Sequence, residues 1–412
     1  MKQEVLTDIL DKIIDYRGKT PKKLGGDWSK SGYRALSALQ VKTTGLQNLD
    51  ECHYVNEDIY RKWMKEEVKR GDILMTSEAP AGQVFYWDSD EKIVLSQRLF
   101  CLRVNNKHNP IYVKYYLQSD TGQKAIFGNL SGSTVSGVSA KTLEYTTIFI
   151  RSLEEETKIA NVLYSIDKKI DINNKIIKTS EKLMREIYDH WFVQFDFPDE
   201  NGRPYKSFGG EMVYDEKLKR EIPKGWKACN ILDVADWVGG AQPPKSTFIY
   251  EPCNGYVRFI QNRDYADDNY KTWIPESKSN KICDRLDIMM DKYGDAGRIR
   301  FGLAGAYNVA LAKIAIEKEK LREYIRGFLS SEAIYQYLYN ACMASTRASL
   351  NEEILGNLNL AIPSEEILSK YQSMAEQNIQ LILNLSDENK QLASLRDWLL
   401  PMLINGQVTI KE

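Results

Sequence analysis

Apolar residues recur at intervals of three and four along two stretches of the chain. In the first they fall at Ile159, Val162, Leu163, Ile166, Ile170, Ile177, Met184 and Ile187. In the second they fall at Tyr371, Met374, Ile382, Leu385, Leu392, Leu395 and Leu399. This spacing puts them on one stripe of a helix, and its persistence over about five heptads predicts coiled-coil packing. Helices over 151–193 and 363–404, at about 1.5 Å per residue, reach about 60 Å, longer than the core of a small domain requires. Ile159, Ile166, Ile170, Ile177 and Met184 are expected to pair with Tyr371, Ile382, Leu385, Leu392 and Leu399 across an antiparallel interface. Asn173, Asn378 and Asn389 lie on or near the stripe, either as tolerated polar edge positions or as residues that fix the register.

The two helical patterns are copies. Ser152/Ser364, Ile159/Tyr371, Ile170/Ile382, Leu183/Leu395 and Ile187/Leu399 share one offset (364 − 152 = 212). Leu117/Leu329, Ser119/Ser331, Ser133/Ser345 and Thr134/Thr346 keep it. Upstream it drifts: Gly71–Met75 matches Leu286–Met290 at 215, and Ile9-Leu10-Asp11 matches Ile231-Leu232-Asp233 at 222. A chain that repeats at half its length is a tandem duplication. The expected organisation is a globular region 1–150, a helix 151–193, a connector 194–205, a second globular region 206–362, a helix 363–404 and a tail 405–412.

The globular regions read as mixed α/β. Asp72–Met75, Leu99–Val104 and Asp287–Met290 are strand-like runs between turn residues. One helix is expected in each: Pro110–Phe127, capped by Asn109 with proline at the first position, and Lys320–Cys342. The fold class is therefore α+β, with two mixed α/β domains each followed by a long helix.

The 412 residues carry 56 Lys+Arg against 57 Asp+Glu, a net charge of −1. That excludes a protein held to DNA by bulk charge but leaves room for a local basic face. The six cysteines are scattered without a CxxC pair, and there are three histidines; free thiols in a reducing cytoplasm are expected rather than a zinc site or disulfides. The N-terminal residues are too acidic for a signal peptide, and no run approaches the roughly 18 apolar residues of a membrane span.

Two motifs fall short. Gly239-Gly240-Ala241-Gln242-Pro243-Pro244-Lys245-Ser246 resembles a phosphate loop, but Pro244 replaces the second glycine and offers no N–H. Asn109-Pro110-Ile111-Tyr112 resembles the Asn-Pro-Pro-Tyr loop of amino-methyltransferases, but the second proline is missing, no glycine-rich cofactor motif lies upstream, and helix capping explains Asn-Pro. A DNA adenine methyltransferase-like enzyme or relic, which would need both features, and a protein-interaction scaffold with solvated loops are the alternatives to a recognition protein.

The loops that differ between the halves hold the side chains that suit DNA. In the first half these are Arg17, Lys19, Lys22, Lys23, Lys42, Thr43, Ser77, Gln83 and Arg98, with Ser133 and Thr134 in a hydroxyl-rich stretch. In the second they are Lys245, Gln261, Arg263, Lys292, Tyr293, Arg298 and Arg300, with Thr346 and Arg347 in the matching stretch. Arg, Lys and Gln bond base edges in the major groove, while Ser, Thr and Lys suit phosphates.

Over essentially its whole length the chain resembles the DNA-sequence specificity subunits of type I restriction-modification systems. The local match is strongest at Trp191-Phe192-Val193-Gln194-Phe195-Asp196-Phe197-Pro198, Asn201-Gly202-Arg203-Pro204-Tyr205, Gly209-Gly210-Glu211-Met212 and Ile222-Pro223-Lys224-Gly225-Trp226. Gly294-Asp295-Ala296-Gly297-Arg298-Ile299 resembles a recurrent turn of the family's recognition domains, from which Ala79-Pro80-Ala81-Gly82-Gln83-Val84 departs. The resemblance implies two target recognition domains, each reading half of a split double-stranded DNA target, with paired helices setting the spacer. It implies two methyltransferase subunits and two restriction (translocation) subunits as partners. Those partners would use S-adenosylmethionine, ATP and Mg2+, leaving no catalytic residue, cofactor or metal in this chain. Without partners, the apolar helix faces could form a homodimer.

Overall fold

The computed structural model describes residues 2–128, 137–344 and 348–410. The chain forms two compact units. The first gathers the residues up to Asn173 with those from Glu388 onward, and the second comprises Asn174–Asp387.

Each unit is built on the same frame. In the first, an antiparallel sheet runs in the order Leu10–Asp15, Leu99–Val104, Ile73–Thr76, Val84–Tyr86; in the second, Asp236–Gly239, Leu311–Ala315, Ile288–Asp291, Ile299–Arg300. Ile73–Thr76 and Ile288–Asp291 are buried along their whole length, so both read as short apolar runs rather than alternating ones. A second sheet contains a parallel pair in each unit, Tyr33–Leu36 with Ile93–Leu95 and Tyr256–Ile260 with Gly305–Tyr307. The fold is α+β, a tandem repeat of two mixed domains each followed by a long helix.

Strand register corrects one of the sequence matches. Lys2 lies opposite Ile150 and Lys227 opposite Ile362. The equivalents at the start of the repeat are therefore 225 apart (227 − 2 = 225), not 222. Leu6 and Ile231 confirm this, since their N–H groups donate to the Thr146 and Leu358 carbonyls at 2.7 and 3.0 Å. The true partner of Ile231-Leu232-Asp233 is Leu6-Thr7-Asp8, a single tight turn in both copies. Three residues of similar polarity carry too little information to fix such a register.

The helix expected over Pro110–Phe127 is two helices, Pro110–Gln118 and Asp120–Phe127; that expected over Lys320–Cys342 is Arg322–Ser330 and Glu332–Ala344. The break falls at Ser119 and Ser331, which are repeat equivalents. Each serine Oγ donates to the carbonyl three residues back, Tyr116 or Phe328, at 2.7 Å. A serine bonded to its own backbone in this way competes with helix continuation.

The central helix spans Leu153–Tyr188, and Asp189–Val193 continues as one wider turn. Ser152 and Glu155 form a reciprocal cap at its start. The C-terminal helix spans Glu365–Ile404. In the first unit the opening half of the central helix packs on the closing half of the C-terminal helix. Asp167 accepts Arg396 Nη1 at 2.9 Å, and Asn173 Nδ2 donates to Glu388 and Asn389 at 2.7 and 2.9 Å. Arg151, just before the central helix, donates Nη2 to the Leu403 and Ile404 carbonyls at 2.8 and 3.3 Å, closing the other helix's end. In the second unit the Tyr188 and Trp191 rings meet Tyr371 at 6.3 and 5.8 Å. Residue numbers rise along one helix as they fall along the other, so the packing is antiparallel.

Among the positions expected to pair the helices, Ile159, Ile166, Tyr371 and Ile382 are buried, while Ile170, Ile177, Met184, Leu385, Leu392 and Leu399 are partly buried. Ile159 and Leu399 join the core of the first unit, Met184 and Tyr371 that of the second. Leu183 and Leu395, apolar and equivalent in the repeat, instead stand 46% and 44% exposed.

Candidate nucleic-acid interface

In the first unit the loops after Leu10–Asp15, after Ile73–Thr76 and before Leu99–Val104 converge on an open groove of about 690 Å³. Arg17, Lys19, Lys23, Ser77, Gln97 and Arg98 line it together with the acids Asp15 and Glu78. Arg17 donates to Asp15 at 2.6 Å and to the Val138 carbonyl at 3.2 Å. Burial would raise the Asp15 carboxyl, but hydrogen bonds from Arg17 hold it below its ordinary value. Lys19 donates to the Trp63 carbonyl at 2.9 Å and rests over the Tyr16 ring; burial, aided by the Lys65 charge, lowers its pKa. Lys23 donates to the Gly18 carbonyl at 2.7 Å, Arg98 pairs with Glu78 at 3.3 Å, and Lys22 is exposed beside them. Ala79 and Arg98 both take positive φ, 58° and 59°. That left-handed backbone is strained for residues with a side chain and clusters where loops serve a function.

Lys42, Thr43 and Gln83 do not line this groove. Thr43 donates its N–H and hydroxyl to Gln83 Oε1, both at 3.0 Å. Lys42 donates to the Ala38 carbonyl at 2.9 Å. Ser77 is buried, with its backbone bonded to Arg98 and Val138. Ser133, Thr134, Thr346 and Arg347 lie outside the described residues.

In the second unit the equivalent turn follows Ile288–Asp291. Arg300 donates Nε and Nη2 to Asp291 at 3.1 and 2.9 Å, and Nη2 also reaches Asp295 at 3.4 Å. Arg298 donates Nε to Asp295 at 3.0 Å. Burial raises the Asp291 carboxyl to about 6 despite the Arg300 charge. Lys292 lies 5.8 Å over the neighbouring Tyr293 ring. Arg263 is exposed beside Asp264 at 3.6 Å, and Gln261 bonds Asp264 through its backbone and Thr272 through its amide. Lys245 is exposed in its own turn. The structure thus brings Lys292, Tyr293 and Arg298 onto one turn and Arg300 onto the strand that follows it. Reading by residue type missed the acids that orient the cations, Asp15, Glu78, Asp291 and Asp295. Only the short spacings Asp15–Arg17 and Asp295–Arg298 could have pointed to them.

The two near-miss motifs have structural roles. Asn109 Oδ1 accepts the Ile111 and Tyr112 N–H groups as a helix cap. Gly240 packs so tightly on the Asn308 carbonyl that a Cβ would sit 1.9 Å from it, which explains glycine there without a phosphate. Among the described residues no group of three His, Cys, Asp or Glu could hold a metal ion, and no helix is long and apolar enough to cross a membrane.

The model of the type I restriction modification DNA specificity domain matches residues 4–182 and again 223–389, one match for each copy of the frame. The chain belongs to this family. Its members are the specificity subunits, not the catalytic ones, and the cofactors of these systems belong to partner subunits. The chain is 24% identical over 358 residues to the MjaIX specificity subunit of Methanocaldococcus jannaschii, covering 83% of this chain and 79% of the relative. It is 23% identical over 417 residues to the HindI specificity subunit of Haemophilus influenzae, covering 84% and 88%. The crystal structure of a type I restriction-modification S subunit from M. genitalium shares the fold with a TM-score of 0.62 at 14% identity, covering 98% of this chain and 96% of the other.

Proposed function

We propose that the chain reads a bipartite double-stranded DNA target, one half through residues 1–150 and the other through 206–362. The helices 151–193 and 363–404, with connector 194–205 and tail 405–412, set the spacer between the half-sites and carry two methyltransferase subunits. Two restriction (translocation) subunits join that complex in the cytoplasm. The methyltransferase subunits use S-adenosylmethionine, and the restriction subunits use ATP and Mg2+. The observation that carries this reading is the repeated frame with unlike polar loops: the same strands and turns present Gln83 and Arg98 in one unit and Lys292 and Arg298 in the other. Exchange of residues 1–150 for another recognition domain, with methylated adenines then mapped in DNA from cells carrying the chimera and its methyltransferase, tests it. One half of the methylated site changes and the other stays; an unchanged site refutes the reading.

Exposed Leu183 and Leu395 support methyltransferase docking on the helices. They are exposed repeat equivalents, one on each long helix, and like surfaces suit two copies of one partner. Each Leu→Glu change is expected to weaken capture of one methyltransferase copy at least 10-fold, read by native mass spectrometry. Two copies bound with unchanged affinity in both variants would move the docking surface elsewhere. In the partner's absence the same apolar faces support a homodimer.

A further inference from the structure

The turns 76–83 and 291–298 are closed by the same backbone hydrogen bonds and differ in what they present. Thr76 N–H donates to the Gln83 carbonyl and Gly82 N–H to the Thr76 carbonyl, both at 2.9 Å. Asp291 N–H donates to the Arg298 carbonyl at 3.0 Å and Gly297 N–H to the Asp291 carbonyl at 2.9 Å. The next residue is anchored alike: Val138 N–H donates to the Ser77 carbonyl at 2.8 Å and Leu350 N–H to the Lys292 carbonyl at 3.1 Å. On this frame Gln83 and Arg298 occupy one position. A phosphate contact carries no sequence information, so two halves that dock alike have no reason to change it; a contact to a base edge changes with the base that is read.

Arg298 is held from two sides. Asp295 Oδ2 accepts its Nε at 3.0 Å, and its guanidinium lies over the Tyr335 ring with Cζ 4.3 Å from the centroid. Tyr335 donates its hydroxyl to the other Asp295 oxygen, Oδ1. One carboxylate therefore fixes both the arginine and the ring beneath it. With Nε committed to Asp295, the two terminal amino groups of the planar fork remain uncommitted to that carboxylate, and the side chain is 48% exposed. Such a terminal pair matches the O6 and N7 acceptors of guanine in the major groove. Arg300 differs: both Nε and Nη2 are spent on Asp291, and it is 28% exposed.

We propose that Arg298 reads a guanine in the half-site bound by the second unit, and that Asp295 and Tyr335 are positioning residues that hold its guanidinium in the reading orientation. The proposal rests on the recognition function above and deepens it.

The test uses the full chain assembled with its methyltransferase, and scores methylation and binding on duplexes in which each position of the mapped site is varied in turn. Arg298→Gln is expected to lower discrimination at one guanine of the second half-site at least 10-fold. The first half-site and the salt dependence of binding stay as they were. Arg298→Lys, which keeps the charge but lacks the planar fork that Asp295 and Tyr335 hold, loses about 3- to 10-fold of that discrimination. Asp295→Asn and Tyr335→Phe leave the arginine in place and reduce discrimination at that same guanine about 3- to 10-fold. A merely structural role would weaken all targets alike. A uniform loss across all sequences in Arg298→Gln, with a salt slope smaller by about one, marks a phosphate contact and overturns the proposal. So does a wild type that discriminates at every position while none responds to Arg298. A wild-type complex with no sequence preference would instead overturn the recognition function itself.

Discussion

Asn173 donates its Nδ2 to Glu388 Oε2 at 2.7 Å from a fully buried position on the central helix. The same Nδ2 reaches Asn389 at 2.9 Å, and Lys169 approaches Glu388 at 3.4 Å. A polar group of this kind inside an apolar seam makes one register better than its neighbours. Asn173→Ala is expected to lower stability by about 1.5–3 kcal/mol, the size of a lost hydrogen bond to a charged group. The coupling between Asn173→Ala and Glu388→Ala in a double-mutant cycle should exceed about 0.5 kcal/mol in urea unfolding. Strict additivity would show that the bond does not contribute.

Asp167 is the counter-charge for two cations. Lys114 lies 3.2 Å and Arg396 2.9 Å from it, and the Tyr115 hydroxyl donates to it. Burial pushes the Lys114 ammonium down to about 8, against the pull of Asp167. Removing one member of such a group strands the others, so Asp167→Ala should cost about 3–5 kcal/mol. The ordinary lysine value is 10.5. Between pH 8 and 10.5 the unfolded chain therefore holds a proton that the folded chain has released, and this group makes stability rise with pH across that window. Lys114→Met should flatten the rise in urea titrations, and an unaltered pH profile would remove Lys114 as its source.

Asp291 acts with the opposite sign. Its folded value of about 6 lies above the ordinary 3.8, so its contribution is present at acid pH and is lost as pH rises through 6. A displacement of roughly two pH units corresponds to about 3 kcal/mol. Against Asp291→Asn, which does not titrate, wild type should therefore lose up to about 3 kcal/mol between pH 4 and 7. Thermal unfolding of both proteins across that range measures the difference. A constant difference would mean that Arg300 fully offsets the burial.

Leu403 is buried in the core of the first unit beside Leu400 and Ile404. Leu403→Ala is expected to cost about 2–5 kcal/mol. Hydrogen exchange should show the loss in the pairing of Lys2–Val5 with Thr147–Ile150. The pairing of Lys227–Asn230 with Asn359–Ile362 should keep its protection. Equal loss in both would contradict the division into two units.

Much of this fold was legible because helix periodicity survives any loop. The stripes through Ile159 and Tyr371 locate both long helices, and the offset of 212 locates the duplication. What escaped depends on a single side chain or on distance in sequence. Ser119 and Ser331 split helices whose apolar pattern runs straight through them. The offset of 225 at Lys2 and Lys227 emerged only from strand register. The candidate loops were visible by residue type, but their arrangement was not. Asp295 and Tyr335 lie forty residues apart on a turn and a helix, and no local pattern joins them.

The first unit is completed by the end of the chain, since Leu400, Leu403 and Ile404 fill its core and Arg151 holds the last carbonyls of the C-terminal helix. The first unit therefore cannot complete its core until residues that follow the whole of the second unit have been made. The ribosome makes the first unit's sheets early, yet everything that the second unit needs, up to Asp387, emerges before Glu388 does. At about 5–20 residues per second the first unit waits open for tens of seconds. The half that is begun first is the last that can be completed.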